Sequence, residues 1–66
     1  MTVAEFRTAV ERFIQERNLT ATEFGKQYAN DPGFVFALRE GREPRESTRA
    51  SILAKANIQT KEASND

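Results

Sequence analysis

The chain has no cysteine and no histidine. Without cysteine it can form neither a disulfide nor a thiolate metal site. Without histidine it lacks the commonest general base and the commonest zinc ligand. It also lacks a glycine-rich phosphate loop and any apolar run approaching the roughly 18 residues of a membrane span. The start, MTVAEFRTAVERF, carries acids and has no apolar stretch of the secretion-signal type, so a cytoplasmic protein is expected. Neither an enzyme nor a cofactor or metal site is expected from these residues. Charge of one sign is lacking too. Ten basic residues balance ten acidic ones, which argues against coating nucleic acid by charge alone.

What is present is 66 residues, enough for one domain. A chain this short buries only about 60% of its unfolded surface, so modest stability is expected. Between Lys26 and Lys55 a local basic bias stands out. Lys26, Arg39, Arg42, Arg45, Arg49 and Lys55 face four acids there, Asp31, Glu40, Glu43 and Glu46.

Apolar spacing and caps predict four helices and no strand. The first spans Val3 to Arg17, with Thr2 and Glu5 at capping-box spacing and Val3, Phe6, Val10, Phe13 and Ile14 as its apolar stripe. Its other face is polar, and Arg7 and Glu11 are spaced to pair across one turn. Asn18 is its expected end. A second capping box, Thr20 to Glu23, opens a short helix over Ala21–Tyr28. Leu19 and Phe24 have the spacing of a hydrophobic staple, and Phe24, Gly25 and Tyr28 face inward. After a turn at Ala29-Asn30, Asp31 should cap a third helix with Pro32 in its first position, Val35 and Leu38 inside with help from Phe34, and Gly41 as the stop. Pro44 breaks the path. A fourth helix is expected over Arg45–Asn57, with Ala50, Ile52, Leu53 and Ala56 apolar. Residues 1–57 form the domain, and residues 58–66 are expected as a frayed polar tail with Ile58 docked.

The segment TATEFGKQYANDPGFVFALREG, Thr20 to Gly41, resembles the helix-turn-helix of Cro- and CI-repressor-like (XRE-like) proteins. Gly25 lets the two helices approach, Phe24 and Tyr28 flank it, Asp31-Pro32 opens the second helix, Val35 and Leu38 are its buried pair, and Gly41 closes it. Where the family usually has glycine in the turn, this chain has Ala29. The resemblance implies an all-α, lambda-repressor-like four-helix bundle. The function it implies is sequence-specific transcription regulation, typically repression, of the phage or mobile-element kind. The recognition helix, about Pro32–Glu40, would lie in the major groove of duplex DNA.

On that helix the outward residues are Gly33, Phe36, Ala37 and Glu40. The face carries none of the usual polar base readers. Gly33 would admit close backbone approach, and Phe36 and Ala37 would meet thymine methyl groups. Alternatively, Phe36 marks a face for another protein, as in an antiactivator, antirepressor or inhibitor that keeps the shape without reading DNA. In a third arrangement it tucks against the fourth helix or the tail. Phosphate anchors implied by the resemblance are Thr20, Thr22, Lys26, Arg39, Arg42 and Arg45, aided by the amides opening the second helix. Ala21 replaces the glutamine often found there. The same arginines would serve equally as solubilising charges paired with Glu40, Glu43 and Glu46. A homodimer is the other implied partner, built through the first helix, the fourth helix or the tail.

Overall fold

A computed structural model describes residues 2–58 and contains four helices. These are α1 (Val3–Arg17), α2 (Ala21–Phe24, running on as a π-helical turn over Gly25–Ala29), α3 (Phe34–Arg39) and α4 (Glu46–Ala56). No strand occurs among the described residues. The fold class is the expected one, a small all-α domain. The tail from residue 59 lies outside the described residues. Its first expected anchor, Ile58, is partly buried against the core.

Local chemistry fixes the helix ends. Thr2 and Thr20 each close a capping box: the hydroxyl accepts the N–H of Glu5 or Glu23, and that glutamate's carboxylate accepts the threonine N–H. At the other ends, α1, α3 and α4 terminate alike. Asn18, Gly41 and Asn57 take positive φ, and the N–H of Leu19, Arg42 and Ile58 returns to the carbonyl of Ile14, Ala37 and Leu53. These are Schellman closures, in which a left-handed residue satisfies the last carbonyls.

Four helices share one core. It consists of Phe6, Val10, Phe13 and Ile14 from α1, Ala21 and Phe24 from α2, Val35 and Leu38 from α3, and Ile52 and Ala56 from α4. Aromatic rings tie α1 to the rest. Phe13 meets Phe24 and Tyr28 edge-on at 5.6 and 5.5 Å, and Phe6 meets Phe34 at 6.3 Å. Edge-to-face pairs add about 0.5–1.5 kcal/mol each beyond their buried area. The Arg17 guanidinium caps this cluster, 4.8 Å above the Phe13 ring.

Three expectations are corrected. First, the α-helical part of α2 ends at Phe24 rather than Tyr28. The Gly25 carbonyl accepts the N–H of both Asn30 and Asp31, so the chain gains a wider turn and the left-handed residue is Asn30, not Ala29. Asparagine tolerates that conformation better than alanine. Second, α3 starts at Phe34, not Pro32. The Asp31 carboxylate accepts the Gly33 N–H at 2.9 Å and its carbonyl accepts the Phe34 N–H at 3.0 Å. That local turn uses up the cap and leaves Asp31–Gly33 outside the helix. Third, Ala50 is exposed, because it projects from the side of α4 opposite Ile52 and Ala56. Helix α4 is also one residue shorter at each end, with Arg45 and Asn57 as its flanking residues.

Gly25 is buried where α2 meets the turn into α3. A Cβ on it would overlap the Asp31 carbonyl oxygen and stand 3.2 Å from the Pro32 Cα. Both neighbours are backbone, and neither can rotate away. In an ordinary helix, glycine to alanine stabilises by about 1 kcal/mol. Here the sign reverses: Gly25→Ala is expected to destabilise by about 3 kcal/mol, at the upper end of overpacking costs. Urea unfolding followed by circular dichroism measures it. A variant as stable as the parent would show that the two backbones separate freely.

Candidate nucleic-acid interface

The turn through Asp31–Gly33 aims α3 so that Val35 and Leu38 are almost fully buried while Gly33, Phe36 and Glu40 are exposed and Ala37 is half-buried. Phe36 is 48% exposed, the one large hydrophobic side chain so placed among the described residues. Phe36 does not join the core cluster to which α4 contributes, and the alternative tuck against the tail falls outside the described residues. With Phe36 and Glu40 on the outward side, the helix presents an aromatic ring and a carboxylate, and no amide or hydroxyl side chain.

The two flanks of α3 differ. On one, Ala37 joins Phe34, Arg42, Pro44, Arg45 and Thr48 around a half-open groove between α3 and the start of α4. The connector holds its shape through the Arg49 guanidinium, which donates to the Pro44 carbonyl. Arg42 and Arg45 are exposed on this rim, and no ion pair among the described residues engages either. The alternative pairing of these arginines with Glu40, Glu43 or Glu46 is not seen among the described residues.

On the other flank, Arg39 reaches α1. Its Nε and Nη2 donate to Glu11 Oε2 and Oε1 at 2.6 and 2.9 Å, a two-pronged pair. Its guanidinium carbon lies 5.8 Å from the Phe36 ring centre. Glu11 thus pairs with Arg39 rather than Arg7. The hydrogen bond from Arg39 holds the Glu11 carboxyl below its ordinary value, opposed by partial desolvation and helped by the charges of Arg39 and Arg7. The same bond raises Arg39 further above its already high value.

The remaining expected anchors stand apart from both flanks. Thr20, Thr22 and Lys26 are exposed along α2 and its π-helical turn, and line none of the grooves beside α3. Two of the amides expected to favour a phosphate at the start of α2 are occupied, Thr20 N–H by Glu23 and Glu23 N–H by Thr20. Ala21, in the place of the expected glutamine, is a core residue.

Sequence patterning gave neither Glu11 nor Arg49 the partner that each has here. Glu11 and Arg39 are 28 positions apart, so no helical spacing announces them. Arg49 looked like one more surface charge, and only the path of the chain through Pro44 gives it a carbonyl to hold.

The Glu11–Arg39 pair is partly exposed, at 31% and 44% of its side-chain surfaces. Such pairs contribute about 0.2–1 kcal/mol. Because the folded-state value of Glu11 is lowered, its stabilisation is complete above the ordinary value of 4.5 and is lost as pH falls through the lower folded value. Glu11→Gln should therefore lose less than about 1 kcal/mol at neutral pH. The gap between parent and variant should close in acid, as read by urea unfolding across pH. A gap that persists unchanged below the carboxylate range contradicts the assignment.

No protein-family model, curated protein or solved structure matches this chain.

Proposed function

We propose that the protein binds duplex DNA as a regulator of the Cro/CI-repressor-like helix-turn-helix kind, with α3 and the turn before it as the element that enters the major groove. The observation that carries this is the pairing of α2 and α3 through Gly25. It brings the backbone of Asp31 and Pro32 against α2 and leaves Gly33 and Phe36 exposed with Ala37 half-buried beside them. A helix offered in this way, with Arg42 and Arg45 on one flank engaged by no ion pair among the described residues, suits groove entry. Arg42 and Arg45 on the connector, with Lys26 on α2, supply the phosphate contacts that set register on the duplex. Gly33 removes side-chain bulk at the entering end. Phe36 and Ala37 provide apolar contact to thymine methyl groups.

Net neutrality shapes the expected behaviour. With ten charges of each sign, weak non-specific affinity is expected, carried by a few local contacts. Recognition should then depend more on fit and on base contacts than on bulk attraction.

A second use of the same face is favoured by one observation, the exposure of Phe36 beside a neutral overall charge. An aromatic at the centre of an otherwise polar surface is the usual anchor of a protein interface. In that case the fold serves as an antiactivator, antirepressor or inhibitor that does not read DNA, and Phe36→Ala abolishes capture of the partner.

Fluorescence anisotropy with duplex fragments from the gene's own neighbourhood tests the primary function. Binding should weaken with salt, and Arg42→Gln and Arg45→Gln should each reduce the salt slope by about 1. Amide shifts on DNA addition should cluster in residues 31–45. Absence of binding to every duplex at low salt would overturn the DNA function and leave the protein-binding use of Phe36.

A further inference from the structure

Among the expected phosphate anchors, Arg39 is placed differently from the rest. Glu11 takes the side edge of its guanidinium, through Nε and Nη2. A carboxylate in that position cancels the charge that would attract a phosphate, so the pair as a unit releases few counterions on binding DNA. What it leaves is the end edge: Nη1 and the outer N–H of Nη2 have no partner among the described residues. That edge is a planar two-donor fork, the shape that matches the O6 and N7 acceptors of guanine. Glu11 also fixes its orientation, so little rotamer freedom remains to be lost when it engages a base. The exposed Phe36 ring lies beside it at 5.8 Å, on the outward side of the same helix.

We propose that Arg39 is a base reader rather than a phosphate anchor. Arg39 donates two hydrogen bonds to a guanine, and Phe36 covers the C5-methyl group of the adjacent pyrimidine. The preferred step is therefore a methyl-bearing pyrimidine next to guanine, thymine–guanine in unmodified DNA. Glu11 acts as a positioning residue that touches no base. This assignment rests on the DNA-binding function proposed above and supplies the polar reader that the outward residues of α3 lack. Arg39 stands at the edge of that face, and the position of its guanidinium beside the Phe36 ring makes it a candidate.

Selection of bound duplexes from a random library by the full chain, followed by anisotropy on the selected site, provides the test. The parent should enrich a thymine–guanine step. Replacing that guanine should weaken binding about tenfold or more, in the range of one lost two-pronged base contact. Arg39→Gln should erase the preference at that position while leaving the salt slope unchanged. Glu11→Gln should blunt the preference several-fold while leaving the fold intact by circular dichroism, and Phe36→Ala should remove selectivity for the thymine methyl against uracil. A parent that selects a site whose base preferences are untouched by Arg39→Gln would overturn this assignment and leave the DNA function standing. So would an Arg39→Gln variant whose loss is uniform across sequences with a salt slope lower by about 1, because that marks a phosphate contact. If the parent enriches no sequence and binds no duplex, both fall together.

Discussion

The bare Cα of Gly25 allows the backbone of Asp31 and Pro32 to lie directly against α2, closer than any side chain would permit. The direction of α3 follows from that contact. The Gly25 carbonyl then accepts the Asn30 and Asp31 N–H groups, which widens the end of the helix into a π-helical turn and places the left-handed residue at Asn30. Asp31, held there, spends its carboxylate on Gly33 and its carbonyl on Phe34, which delays α3 by two residues. Once α3 begins at Phe34, Val35 and Leu38 reach the core and Phe36 cannot.

Electrostatics then divide the surface around α3. Arg42 and Arg45 are exposed on a connector braced by Arg49, with no ion pair among the described residues. Arg39 is drawn to α1 by Glu11 through Nε and Nη2, and its Nη1 has no partner among the described residues. Three arginines of one short stretch therefore have unlike environments. A count of basic residues between Lys26 and Lys55 treats them as equivalent, and their different partners make them distinct. The exposed Phe36 sits between the two kinds, with Arg39 at one side and Ala37 leading to the Arg42–Arg45 rim on the other.

Much of the scaffold was legible because its signals are local. Each capping box lies within four residues, and the apolar stripe of α1 repeats every three or four. The bounds of α1, the inward Val35 and Leu38, and the stop at Gly41 follow from such spacing. Errors arose where two local preferences competed. Asp31 favours both a helix cap and a side-chain turn, and Gly33 removed the incentive to start the helix early. Ala50 was read by composition rather than by its angle on α4. The exposure of Gly33 and Phe36 could be read from the order of residues, since Val35 and Leu38 take the inward positions, whereas Ala37, expected outward, is half-buried.

By itself the sequence determined an all-helical chain, the places where its first two helices begin, most of the apolar residues that meet in its core, and the need for a small residue at Gly25. Each of these depends on neighbours within about one or two turns, a range that linear order encodes directly. Only the tertiary structure decided that Glu11 holds Arg39, that Arg49 braces the connector, and that Arg42 and Arg45 share a groove rim with Ala37. The first joins two helices, the second ties the connector to the helix that follows it, and the third sets the connector beside α3. Such meetings are set by the direction in which close backbone packing sends each segment, which no spacing along the chain records.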